Sequence, residues 1–163
     1  MAFLIHVFNT VAIEKVHPQE ILAAITESNY RTLCRQYGLD PDLIDEARAN
    51  LRVLAAPEAA APFLTLAYRP GGVRPVVVHF QDRGEISGRL PSAPESVRKA
   101  LSAAVQIVSV ELDADQLQDL GLLLGYELAR WAAVRGKGVM LGLDGRWYRL
   151  NAFKAFLPLE IVG

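Results

Sequence analysis

Cysteine is nearly absent from this chain: Cys34 is the sole one among 163 residues. That excludes an internal disulfide and is in keeping with a reducing compartment. Histidine is scarce too. His6, His17 and His79 fall in separate segments, and no H-E-x-x-H, C-x-x-C or carboxylate-rich loop accompanies them. No metal site and no cofactor site is therefore expected. Charge of neither sign prevails, with 17 basic against 18 acidic residues and a formal net charge of -1. That removes the broad basic footprint of a nucleic-acid binder and the acidic surface of a nucleic-acid mimic. Apolar runs stay short of the ~18–20 residues that a membrane-spanning helix requires, so no membrane span is expected.

The glycine-bearing stretches "GKGVMLG" and "RPGGVRP" do not match a phosphate loop. The first lacks the upstream glycine and has no Ser or Thr after Lys137. The acidic group Asp40, Asp42, Asp45 and Glu46 belongs to a helix start. It reads as a capped, solvated face or as a partner-binding patch, not as paired catalytic carboxylates. The opening "MAFLIHVFNTVAIEK" has no basic leader region, is interrupted by His6 and Asn9, and lacks a small-residue cleavage site. It reads as a strand with both faces covered, and the expected location is the cytoplasm.

What the chain has in abundance is apolar surface: 52% hydrophobic residues and a mean hydropathy of +0.20. A chain of this length suits one domain, residues 1–163, with a sizeable core. "HPQEILAAITESNYRTLCRQYG" reads as a helix with Pro18 in its first turn and Gly38 as its stop, its apolar line running through Ile21, Ile25, Leu33 and Tyr37. "DPDLIDEARANLRVL" reads as a second helix capped by Asp40. "AAPEAAAP" is a short connector. "FLTLAY" and "PVVVHFQ" flank "RPGGVR" as a hairpin, and "GEISGRL" adds a short strand. A modest helix in "PSAPESVRKALSAA" and a β-branched strand in "QIVSVEL" follow. The longest helix is announced by the D-x-x-Q pair Asp113 and Gln116 and closed by Gly136. These elements predict an α+β fold: a single domain with a mixed or largely antiparallel sheet, about four helices and a C-terminal β-hairpin.

That hairpin turns at Asp144–Gly145 in "VMLGLDGRWYRL". A two-residue turn sets Leu141 opposite Tyr148 and Gly142 opposite Trp147. Val139, Leu141, Leu143, Tyr148 and Leu150 then face the core, while Trp147 and Arg149 share the outer face. On the long helix, Leu117, Leu120, Leu124, Leu128 and Trp131 form the buried stripe, with Tyr126 and Arg130 turned away. Exposed Tyr–Arg and Trp–Arg pairs are residue types enriched at interface hot spots. Trp147, Arg149, Tyr126 and Arg130 are thus the candidate partner-binding residues. The competing reading has Trp147 covered by a helix and the arginines solvating a rim.

The run "LGYELARWAAVRGKGVMLGLDGRWYRL" resembles the C-terminal part of immunity proteins from bacterial polymorphic and contact-dependent toxin systems. The likeness lies in the "E-L-A-R-W-A-A" helix, Glu127 to Ala133, and the "D-G-x-W-Y" hairpin, Asp144 to Tyr148. It covers about a quarter of the chain and carries no site residue over. It implies a non-enzymatic cytoplasmic protein that binds a cognate protein toxin and blocks it. A second reading, from another class, is a small-molecule-binding domain or hydrolase-like enzyme with a cleft near Cys34 and His79. A third is a structural subunit whose apolar surplus is buried in a homodimer.

Overall fold

A computed structural model describes residues 2–26, 34–36, 38–40, 42–56, 63–69, 74–82 and 92–159. In chain order the elements are β1 (Phe3–Asn9), α1 (Pro18–Thr26), α2 (Asp42–Asn50), β2 (Arg52–Ala56), β3 (Phe63–Ala67), β4 (Val76–Asp82) and α3 (Glu95–Ala103). They continue with β5 (Gln106–Leu112), a 3-10 turn at Gln116–Gln118, α4 (Leu120–Gly136), β6 (Gly138–Leu141), β7 (Trp147–Leu150) and β8 (Phe156–Pro158). The strands form one eight-stranded sheet in the order β2-β3-β4-β5-β1-β6-β7-β8. Every pairing is antiparallel.

This corrects the expected α+β class with about four helices: the fold is strand-dominated, and the helices are short additions to one continuous antiparallel sheet. Two strands account for much of the difference. "RVLAA" leaves the second helix and becomes edge strand β2, and "FLP" becomes β8 at the opposite edge. Both are too short to carry a decisive period of two. The turn residues 70–73, the expected strand at 84–90, most of the 55–62 connector, and the apolar positions Leu33 and Tyr37 lie outside the described residues.

β1 takes the centre, between β5 and β6. Its Val7 lies opposite both Val108 and Met140. Alternation sends Ile5 and Val7 to one face, where both are fully buried. On that face α4 packs along β1, β5 and β6, and α1 packs on α4. Buried beneath helices on one side and strands on the other, α4 has apolar or small residues at almost every position, and its interior includes Gly121, Gly125 and Ala129. A helix apolar nearly all round belongs inside. The Asp113–Gln116 pair forms as expected, each backbone N–H donating to the other's side chain at 2.9 Å. It heads the 3-10 turn, however, and α4 starts only at Leu120, where the Asp119 carboxylate accepts from the Gly121 N–H at 2.6 Å.

The opposite sheet face holds a smaller apolar cluster. Helix α3 lays Val97 and Leu101 over Phe8, Ile107, Val139 and Trp147.

Candidate functional site

The last hairpin decides which side chains reach the surface. Its register pairs Val139 with Arg149, Met140 with Tyr148 and Leu141 with Trp147, one residue away from the expected pairing. The loop has three residues, not two. Gly142 and Arg146 close it through Gly142 N–H to Arg146 C=O at 2.9 Å, and Gly145 donates to Gly142 C=O at 3.1 Å with φ +76°. A turn followed by a left-handed glycine is the usual three-residue solution. Because side chains alternate, this single step exchanges faces. Met140 and Tyr148 join the main core, while Val139, Leu141 and Trp147 join the α3 cluster.

Trp147 is accordingly 3% exposed, and its expected place on an open face is corrected. Its ring lies 5.4 Å from that of Phe8, and its indole N–H points to the Ser92 carbonyl at 3.4 Å. Arg149 is exposed on the same side and donates to the Ser96 carbonyl of α3 at 3.0 Å. Tyr126 and Arg130 lie across the sheet from this pair, so the four expected contact residues do not form one surface.

Tyr126 and Arg130 instead line a cleft of about 970 Å³ between α1, α4 and the β6–β7–β8 end of the sheet. Its walls include Trp131, Met140, Tyr148 and Phe156, with Phe153 and Lys154 on the lip. Several local features fix its shape. The Tyr126 hydroxyl accepts from the Leu143 N–H at 3.1 Å, tying α4 to the hairpin turn. The Tyr148 hydroxyl donates to Asp144. Burial chiefly, and then Asp144, pushes the Tyr148 phenol up to about 12, and burial likewise raises that of Tyr126. Both phenols therefore stay protonated through the ordinary pH range. Gly142 lets these groups converge, since a Cβ there would meet Tyr148 Cε2 at 3.0 Å and Asp144 Oδ1 at 2.8 Å.

Charges in the cleft are largely matched within it. Arg130 bonds the nearly buried Glu127 at 2.6 Å, and Arg135 bonds Glu20 at 2.9 Å. Trp131, 5% exposed, keeps a buried indole N–H with no hydrogen-bond partner. The cleft offers aromatic surface, donors and a mixed-charge rim; among the described residues its lining holds no Ser, Thr, Cys or His. Such composition suits holding a partner by contact. Sequence reasoning found Tyr126 and Arg130 but missed Tyr148, Phe153 and Phe156. For Phe153 there was a signal, an isolated Phe in the polar turn "NAFKA".

The other expected focus comes apart. Val76, Val78 and Phe80 of β4 enter the main core together with fully buried Cys34. His79 alternates to the opposite face, where its Nε2 meets Glu111 Oε2 at 2.8 Å. Glu111 also accepts from Arg74 at 2.9 Å. The sheet thus stands between Cys34 and His79. Burial, and then Asp40, pushes the Cys34 thiol up, away from thiolate character. On the His79 face, His6 Nδ1 and Ser109 Oγ share a hydrogen bond of 2.8 Å, and burial lowers the His6 pKa.

Among the described residues, no three His, Cys, Asp or Glu are grouped so as to hold a metal ion. No described helix is long and apolar enough to cross a membrane. Comparison with known proteins yields no match to a family model, a curated protein or a solved structure.

Proposed function

We propose that the chain is a binding protein that acts by contact, with the cleft between α4 and the β6–β7–β8 end as its recognition surface. The observation that carries this reading is the lip of that cleft: Phe153 is 89% exposed directly beside a floor of Tyr126, Trp131, Tyr148 and Phe156. Exposed aromatics clustered around a concavity with arginine nearby are the ingredients of an interface hot spot. The kind of partner comes from the C-terminal resemblance: a bacterial protein toxin, neutralised by direct protein–protein binding in the cytoplasm.

Co-expression tests this directly. A toxic protein encoded beside this chain's own gene is produced with and without the chain, and growth and complex formation are followed. The expected outcome is protection by the natural chain and its loss with Phe153→Ser combined with Lys154→Glu. Both residues are exposed, so the fold should be retained. A truncated hot-spot anchor typically costs ~2 kcal/mol or more, roughly thirtyfold in affinity. Undiminished protection by the double variant would overturn the assignment of the cleft. Absence of binding to any such neighbour would overturn the toxin reading.

A further inference from the structure

The turn between β7 and β8 holds its aromatic side chain out in water by a rigid arrangement. Asn151 Oδ1 accepts from the Phe153 N–H at 2.9 Å and from the Ala155 N–H at 3.0 Å. The Asn151 backbone donates to Ala155 C=O at 2.8 Å and accepts from the Lys154 N–H at 3.0 Å. Lys154 is left-handed, with φ +60°. Folding Phe153 down onto its own cleft floor would break this set of bonds. An exposed apolar ring that cannot reach the cavity beside it is a candidate to fill the same cavity in another molecule.

From this geometry we infer that the free protein forms a two-fold dimer in which Phe153 of each protomer inserts into the aromatic cleft of its partner. Knob and hole share one rim. A two-fold axis near that rim therefore satisfies both insertions at once, and the isologous contact closes at two copies instead of growing into a fibre. Charge agrees with this docking. Lys154 travels with Phe153 toward a rim that carries the Asp144 and Glu20 carboxylates.

Strand addition at the neighbouring sheet edge is disfavoured, which leaves side-chain insertion as the mode of contact. Asn151–Ala155 and Trp147–Leu159 are bonded pairs across β7 and β8. Alternation then turns the backbone of Pro158 outward, where it has no N–H to offer a further strand. Two inserted Phe side chains with their lips fall at the small end of specific interfaces, so the dissociation constant should be on the order of 10 µM. The dimer does not depend on the toxin reading; a cognate partner using the cleft would compete with it.

Sedimentation velocity of the natural chain from about 1 to about 200 µM reads the association. The natural chain should shift from monomer to dimer, and Phe153→Ser should weaken dimerisation at least tenfold. Val134→Arg, on the cleft wall, should do the same from the hole side; Ala155→Arg replaces it should that variant fail to fold. Phe153→Ser keeps an intact hole and Val134→Arg an intact knob. Their mixture should associate more strongly than either alone, through the one remaining insertion. A natural chain that stays monomeric throughout, a Phe153→Ser dimer as tight as the natural one, or a mixture no better than its components would each overturn the inference.

Discussion

Asn9 is fully buried at the end of β1, and neither its side-chain oxygen nor its nitrogen has a hydrogen-bond partner. It occupies space that two glycines leave open where α4 turns into β6. A Cβ on Gly136 would lie 2.1 Å from the Asn9 side chain, and one on Gly138 would lie 2.2 Å from it. Between them Lys137 takes φ +50° to cap the helix. Gly136→Ala should therefore destabilise the protein by about 1–3 kcal/mol through overpacking. Urea unfolding measures this, and a loss below about 0.5 kcal/mol would contradict the packing described. Adding Asn9→Ala should recover part of the loss, because the two sites share one space and their effects cannot be additive. Lys137→Gly should act in the other direction, gaining about 1 kcal/mol by relieving a left-handed non-glycine residue. Arg130 needs a gentler probe. Truncating it strips Glu127, 7% exposed, of a 2.6 Å partner, and breaking such a pair is costly in itself.

For the last hairpin, a difference of one loop residue separates a surface tryptophan from a core one. Trp147→Ala should cost about 3–5 kcal/mol of stability, read as a fall in denaturant midpoint, while leaving any partner contact at the cleft unchanged. A variant of normal stability would show that α3 does not bury the ring. The sequence "LGLDGRW" is compatible with either loop length. What selects three residues is tertiary: Phe8 and the α3 side chains Val97 and Leu101 on one face, and Tyr126 gripping Leu143 on the other. The same limit explains the strands that went unread. Arg52–Ala56 and Phe156–Pro158 acquire their conformation from the neighbours that pair with them. Longer segments were legible because the pattern was strong: β1 with both faces covered, the β-branched β5, and the leucine stripe of α4. Tyr126 and Arg130 were reachable from helical periodicity. Phe153 and Phe156, on short connections and an edge strand, were not.

Across the whole molecule the sheet divides the chemistry, with Cys34 sealed in the main core and His6, His79, Ser109 and Glu111 on the far side. His6 gives this far face a pH dependence. Its pKa is lowered by burial, so folding favours the neutral ring. The associated stability is fully present above the unfolded value of about 6.5 and is lost as pH falls through the lower folded value. His6→Gln should flatten the fall in melting temperature between about pH 6.5 and 5. An unchanged slope would assign the acid sensitivity to carboxylates instead.

The position of β1 also sets a schedule for synthesis. The first strand to leave the ribosome occupies the middle of the sheet, and its two neighbours are residues 106–112 and 138–141. At about 5–20 residues per second, β1 waits roughly 5–20 s for its first partner and longer for its second. Until then Ile5, Val7 and Phe8 are unprotected apolar side chains on a strand with two free edges. Such long-range pairing slows folding and exposes the nascent chain to association. Chains arrested before Gly138 should accordingly be held by chaperones or degraded, and protease resistance should appear only once β6 can close the second edge of β1.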